Sequence, residues 1–301
     1  MSNDPVASVR SFYRALTLRV GVFTDSFLGR GRPLAESRLV FEIGNDGADV
    51  RDLRARLNLD SGYLSRLLRS VERDGLVEVA PLESDLRGRR ARLTDAGRQE
   101  LKQLDVLGDR FARETLDPLS DSERARLVGA MTEVERLLNL AFTKISVEDP
   151  DSPDAKWCVA QYFAELCERF EGGFDAGRSI PADSTDLRPP LGVFLIARLD
   201  GRPVGCGALK MIESGVGSIK RMWVSEGVRG SGVGRRLLLA LENEAAGLGM
   251  SLLRLETNRS LHEAQALYRR NGYREVSAFN DEPHAHHWFE KRVNGVQAQE
   301  N

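Results

Sequence analysis

The stretch from Ser218 to Leu248 constrains this chain more than any other. It runs Ser-Ile-Lys-Arg-Met-Trp-Val, then Arg229-Gly-Ser-Gly-Val-Gly234, then Arg-Arg-Leu-Leu-Leu-Ala-Leu. The first run reads as a strand over Ser218–Val224, and the leucine pattern over 232–248 reads as a helix. Three glycines and a serine at the helix start leave the backbone N–H groups unobstructed. Those donors converge on one spot, and the helix dipole adds partial positive charge. The segment is therefore suited to a pyrophosphate, with Arg229 alongside. A nicotinamide-type dinucleotide turn is the rival, and Glu256 lies where a ribose-binding acid would be expected. Three features count against it. The spacing is GxGxG rather than GxGxxG, the glycines do not directly follow the strand, and too little chain follows Glu256 to finish such a sheet.

A chain of 301 residues has room for about two domains. Composition shifts at 147–154 (VEDPDSPD), a run of acidic residues, serine and proline that reads as an exposed linker. The expected division is 1–146, a linker over 147–154, a second domain over 155–293 and a polar tail over 294–301. The second domain reads as α/β with a mixed, twisted sheet. A helix over 155–170 and a Gly/Pro-rich loop come first. Strands at 192–199 and 203–210, joined by Asp200-Gly201, precede the Ser218 strand. A strand at 251–257, a helix at 261–271 stopped by Gly272, and strands near 274–276 and 287–292 complete it.

The first domain reads as mainly helical. Helices are expected over 6–27, 34–43, 49–57, 61–74, from 94 onward and over 120–143, with a hairpin of 76–81 and 89–93. The short helix, the turn Asn58-Leu59-Asp60, the amphipathic helix and the hairpin form a winged helix-turn-helix. A helix that enters the major groove needs polar residues near its N-terminus and an apolar face behind them. Ser61, Tyr63, Ser65, Arg66 and Arg69 supply the polar face, and Leu64, Leu67, Leu68 and Val71 the apolar one. Arg87, Arg89 and Arg90 on the hairpin place charge at the height of a phosphate backbone or minor groove. The whole chain carries a net charge of −2, yet residues 51–98 hold 11 basic and 8 acidic side chains.

Residues 35–145 resemble the MarR family of transcription regulators. The wing DLRGRRARLTDAGR carries the likeness through Asp85, Arg87, Leu93, Thr94 and Gly97. The resemblance implies that Asp85 structures the wing and Arg87 reaches double-stranded DNA, with residues 49–93 as the interface. It also implies a homodimer through the first and last helices, here 6–27 and 120–143.

Residues 155–293 resemble the GCN5-related N-acetyltransferase (GNAT) superfamily. Its pattern Arg/Gln-x-x-Gly-x-Gly/Ala is met by Arg229, Gly232 and Gly234, and the LETN and ALYRRNGY segments match family habit. The resemblance implies acetyl-CoA as co-substrate. Backbone groups of Met222 and Val224, flanking Trp223, would hold the pantetheine arm. Amides from Arg229 through Gly230, Ser231, Gly232, Val233 and Gly234 to Arg235 would hold the pyrophosphate. Asn258 would sit near the acetyl end, and Tyr268 would be the acid for the leaving thiolate. Tyr273 follows a helix-stopping glycine and reads as structural.

The general base is open. Many relatives have Glu just before the Ile-Lys-Arg-Met strand, where this chain has Ser218. A serine could hold a water; Glu213, Glu256 and Asp281 are other candidates. His284 and His286 could line the acceptor pocket. They do not make a metal site, which needs three or four ligands. Three cysteines without a CxxC pair argue against both disulfides and a cysteine-rich zinc site. No apolar run approaches a membrane span and no signal peptide begins the chain, so a cytoplasmic protein is expected. The leading expectation is a DNA-binding regulator that also acetylates a small amine. One alternative is a regulator whose second domain only senses acetyl-CoA. The other is a plain acetyltransferase whose first domain only dimerises it.

Overall fold

The computed structural model describes residues 4–20, 26–81 and 88–293, and the chain divides into two compact units between Gly129 and Ala130. In the first unit, α1 (Pro5–Val20), α2 (Leu34–Ile43), β1 (Ala48–Asp49), α3 (Val50–Arg56) and α4 (Ser61–Arg73) precede the hairpin β2 (Val77–Pro81) and β3 (Arg89–Leu93). Then come α5 (Asp95–Leu116) and the start of α6 (Asp121–Phe142). The three strands form one small antiparallel sheet in the order β1-β3-β2. Leu64, Leu67, Leu68 and Val71 of α4 are buried with Leu39, Val40, Ile43 and Leu53, as the apolar spacing requires. The end of the hairpin is fixed by Thr94 and Gly97. Thr94 caps α5 by accepting from the Gly97 amide at 3.0 Å, and its own amide donates to the Leu76 carbonyl at 3.0 Å. A Cβ on Gly97 would lie 2.0 Å from that carbonyl oxygen, so only glycine lets α5 start so close to the strand.

In the second unit, β4 (Lys144–Glu148) leads into α7 (Pro153–Arg169), β5 (Gly192–Leu199), β6 (Arg202–Glu213) and β7 (Val216–Val224). These are followed by α8 (Val233–Gly247), β8 (Leu252–Thr257), α9 (His262–Arg270), β9 (Arg274–Val276) and β10 (His287–Arg292). The seven strands run in the order β4-β5-β6-β7-β8-β10-β9. All neighbours are antiparallel except β7 and β8. Both faces of the sheet are covered, which is why β5 reads as a continuous apolar run rather than an alternation. On one face Leu237, Leu238 and Leu241 of α8 meet Leu195, Leu209, Leu253 and Phe289. On the other, Ala155 and Cys158 of α7 meet Phe194, Ile196, Cys206 and Trp223.

Two expectations are corrected. The stretch 147–154 is not a linker. Val147 and Glu148 belong to β4, which pairs antiparallel with β5, and Pro153 and Asp154 open α7 behind the Ser152 cap. The sheet supplies β4 with hydrogen-bond partners, which local composition cannot show. The helix expected over 6–27 is not one element either. α1 ends at Val20, residues 21–25 are outside the described residues, and Phe27–Gly29 is a single 3₁₀ turn with Leu28 at φ 51°. The Phe27 amide bonds the Arg32 carbonyl at 2.7 Å, folding the Gly-Arg-Gly segment back on itself.

Candidate functional site

In the first unit, Asp60 starts α4 by accepting from the Tyr63 amide at 2.8 Å. Ser61, Arg66 and Arg69 are then exposed, while Tyr63 and Ser65 are half-buried. The Arg66 guanidinium lies over the Tyr63 ring at 5.6 Å. Arg89 is exposed on β3. Arg90 is held: it donates to Asp49 at 3.0 Å and to the Asp46 carbonyl at 3.1 Å, tying the wing to β1. Asp85 and Arg87 lie outside the described residues.

The second unit owes its site to a break in the sheet. β7 and β8 pair in parallel only over Val216–Ser218 with Leu252–Arg254. Beyond Ser218, among the described residues, Ile219–Val224 has no strand partner on the β8 side, so a cleft opens between the two strands. The glycine segment closes one end of that cleft. Gly232, at φ 102°, is the N-cap of α8, and no side chain caps the helix. As in any first turn, the amides of Val233, Gly234 and Arg235 have no partner within the helix. The Arg229 and Ser231 amides are turned inward to Glu226 and Val228, which narrows the expected cradle. The Ser231 hydroxyl also faces inward, on the Val228 carbonyl, and the Val233 side chain is in the core.

A cavity of about 940 Å³ follows this cleft. Met222, Trp223, Val224, Arg229, Gly230, Gly232, Gly234 and Arg235 line it, as does Arg270. Glu165 of α7 braces its edge, accepting from the Trp223 indole at 3.0 Å, from Arg169 at 3.1 Å and from Arg229. Arg229 is therefore already paired, and its Nε also donates to the Val224 carbonyl at 3.0 Å. Bare amides, a helix start and cationic side chains suit the polyanionic end of a coenzyme A thioester.

A second cavity, of about 160 Å³, lies deeper. Phe163, Phe170 and Phe174 form one wall, and Lys220, Arg221, Glu256, Asn258, Glu282 and His284 supply its polar groups. Lys220 and Glu256 form an ion pair with side chains 13% and 7% exposed. Asn258 donates to the His284 carbonyl at 2.7 Å and accepts from the Ser260 amide at 3.0 Å, pinning the loop that carries His284. His284 reaches the Asp175 carbonyl at 3.2 Å.

Tyr162, Leu166, Met222, Leu261, Ala264 and Tyr268 line both cavities. Burial, reinforced by Glu256, raises the Tyr268 phenol well above its usual range. Burial, with smaller contributions from Tyr268, Cys206 and Glu256, does the same for Tyr162. Both stay protonated and can donate a proton at this junction. Of the expected acceptor-side residues, Glu256 and His284 reach the cavity. Ser218 is buried within β7 and lines neither cavity, and His286 is exposed and lines neither. Glu213 and Asp281 also line neither. Tyr273 is buried beside the Tyr268 ring at 6.0 Å, consistent with packing. Sequence reasoning missed Tyr162, Lys220, Arg221 and the three phenylalanines. Tyr162 sits on a helix that mixes buried and exposed apolar residues, and nothing in its spacing sets it apart. Among the described residues no group of three or more His, Cys, Asp or Glu could hold a metal, and no helix is long and apolar enough to cross a membrane.

A glycine-rich helix start beside splayed strands, leading to a second cavity, defines the class: an acyltransferase site, carried on a chain that also has a winged helix-turn-helix. Comparison with known proteins gives the family. Residues 159–273 match the acetyltransferase (GNAT) family and residues 30–88 match the MarR family. An IAA acetyltransferase of Azospirillum brasilense is 40% identical over 123 residues, 40% of this chain and 80% of that protein. The HTH-type transcriptional regulator YdgJ of Bacillus subtilis, named as uncharacterized, is 31% identical over 94 residues, 31% of this chain and 57% of the regulator. The apo form of MarR from E. coli aligns with a TM-score of 0.37 at 22% identity, covering 42% of this chain and 94% of that one. The chain belongs to the GNAT acetyltransferase family through its second unit and joins it to a MarR-type regulator segment.

Proposed function

We propose that this chain binds double-stranded DNA through its first unit and, in its second, transfers an acetyl group from acetyl-CoA to a small amine. The meeting of the two cavities at Tyr162 and Tyr268 carries the second half of that reading. The amides at the start of α8 hold the pyrophosphate, and the unpaired edge of β7 beyond Ser218 holds the pantetheine arm like a neighbouring strand. Bound acetyl-CoA supplies a thioester carbonyl at the junction. There the acceptor nitrogen forms a C–N bond as the C–S bond breaks. Tyr268 gives its proton to the departing sulfur, and the proton lost by the amine passes to water or to Glu256. The cavity accepts a small molecule more readily than a protein segment because it is narrow and walled by aromatic rings.

Arg66, Arg69 and Arg89, exposed on α4 and the wing, support the DNA reading. A homodimer is supported by α1, which has no buried residue and exposes Val9, Phe12, Tyr13 and Leu16. One observation favours the sensor reading instead: Glu256, the one base candidate from the sequence that reaches the acceptor cavity, is held by Lys220.

Thiol release from acetyl-CoA across a panel of small amines, beside calorimetry of acetyl-CoA binding without acceptor, tests the enzyme. Acceptor-dependent release is expected. Binding without release from any amine would favour the sensor. Titration of labelled duplex at several salt concentrations tests the regulator, and weak binding at low salt to every sequence would end that reading.

A further inference from the structure

The acceptor cavity is lined by a cation, Arg221, that makes no ion pair among the described residues. Arg221 stands at φ 54° within β7, where the pairing with β6 shifts register between Cys206 and Ala208. A left-handed backbone is unfavourable for any residue other than glycine. Such bulges typically re-aim a side chain. The Cys206 thiol donates to the Arg221 carbonyl at 3.3 Å and holds the bulge in place. The guanidinium then lines the acceptor cavity. It donates to the Ala182 carbonyl at 2.8 Å and lies 5.9 Å from the Phe163 ring centre. No acidic side chain pairs with it among the described residues. Burial lowers its pKa, and Asp183, too far to pair with it, offsets this only in part.

The other charged side chains of the cavity are engaged within the protein, Glu282 by backbone amides rather than by a cation. Lys220 and Glu256 neutralise each other. Glu282 accepts from the Ile180 amide at 2.8 Å and the His284 amide at 3.5 Å. Guanidinium has five N–H donors in a fork that matches a carboxylate, and among the described residues the Ala182 carbonyl is the acceptor it meets. Beside the charge stands the wall of Phe163, Phe170 and Phe174. Phe174 lies 5.4 Å from Phe163 and 5.7 Å from Phe170 between ring centres.

We propose that Arg221 receives a carboxylate of the acceptor, so that the substrate is an amino acid with an aromatic or large apolar side chain seated on Phe163, Phe170 and Phe174. The proposal rests on the transferase reading, and it names the acceptor class within it.

The test compares L-phenylalanine with L-phenylalaninamide and phenethylamine, which keep the ring and amine but lack the carboxylate. Binding is read by calorimetry on the full chain saturated with CoA, and turnover by thiol release from acetyl-CoA. Phenylalanine is expected to win by about 10- to 100-fold in both, the usual range for hydrogen bonds to a charged group. In Arg221→Gln that preference should fall to within about threefold. If Arg221→Gln does not fold, the comparison in the native protein decides alone. Carboxylate-dependent binding without turnover would uphold Arg221 and remove the transferase reading. Turnover of all three at similar rates would overturn the carboxylate site and leave the transferase. Neither binding nor turnover of any of the three overturns the proposed acceptor class.

Discussion

The helix starts of α4 and α8 solve the same problem in opposite ways. Each leaves backbone N–H groups that its own turns cannot satisfy. At α4, Asp60 fills the position and accepts from the Tyr63 amide at 2.8 Å. Thr94 does the same for α5 at 3.0 Å, and Ser152 for α7 at 3.1 Å. At α8 the N-cap is Gly232, which has no side chain to offer. A capping oxygen occupies the place where a ligand oxygen would sit. A self-capped helix therefore presents its side chains to a partner, whereas a bare one presents its backbone. The exposed Arg66 and Arg69 belong to the first kind, and the segment 229–235 to the second.

The largest effect tests whether the bare start of α8 delivers a thioester to the junction of the two cavities. Tyr268→Phe should lower kcat by about 100- to 1000-fold, the range for losing a positioned acid, with acetyl-CoA affinity retained. The sign of the pH dependence follows from the raised phenol. A raised pKa keeps the proton on at high pH, so the native rate should not fall near pH 10, where an ordinary tyrosine ionises. A fall there would count against either raised phenol as the acid, and an unaffected kcat in Tyr268→Phe would shift the role to Tyr162. Tyr162→Phe would then carry the loss.

The next effect converts one helix start into the other. Gly232→Asp places a carboxylate where the proposal places phosphate. Acetyl-CoA affinity should drop by about 100-fold or more in calorimetry, through like-charge repulsion and competition for the same amides. The φ of 102° adds strain, so thermal melting must show that the variant is folded. Unaltered affinity in a folded variant would mean the pyrophosphate does not sit at α8. A smaller effect concerns the capped helix. Arg66→Ala and Arg69→Ala should each weaken duplex binding by about tenfold, and a lost phosphate contact should flatten the salt slope by about one. An unchanged slope and affinity in both would remove α4 from the interface.

Features set by local chemistry were legible in the sequence. α2 lies over Leu34–Ile43 as the apolar spacing predicts, and β5 over Gly192–Leu199. The glycine segment announced the bare start of α8, and Tyr268 was legible through its place in the ALYRRNGY segment. Features set by distant partners were not. β4 exists because β5 offers it an edge, and none of its residues is buried, so Val147 and Glu148 look like the start of a linker. Arg221 lies in a Lys-Arg-Met run that reads as an ordinary strand. Its left-handed backbone arises from the slip between β6 and β7, which no single segment encodes. Arg90 was legible as basic, but its ties to Asp49 and the Asp46 carbonyl depend on β1, a two-residue strand with no periodicity to detect.

The smallest predicted effect is the one that isolates capping from ligand binding. Asp60→Ala removes the oxygen that satisfies the Tyr63 amide and should destabilise the first unit by about 1 kcal/mol. The side chain lies one residue before Ser61, so the loss falls on the turn that presents Ser61, Tyr63 and Ser65. Duplex affinity should weaken with it, by less than the loss from Arg66→Ala, because no cation is removed. Acetyl-CoA affinity should not move, since α8 has no use for Asp60. Asp60→Asn keeps an acceptor oxygen at the same position and should restore most of the stability. If Asp60→Ala and Asp60→Asn melt alike, the cap is not what holds the start of α4, and the contrast with Gly232 would have to be sought in charge rather than in hydrogen bonding.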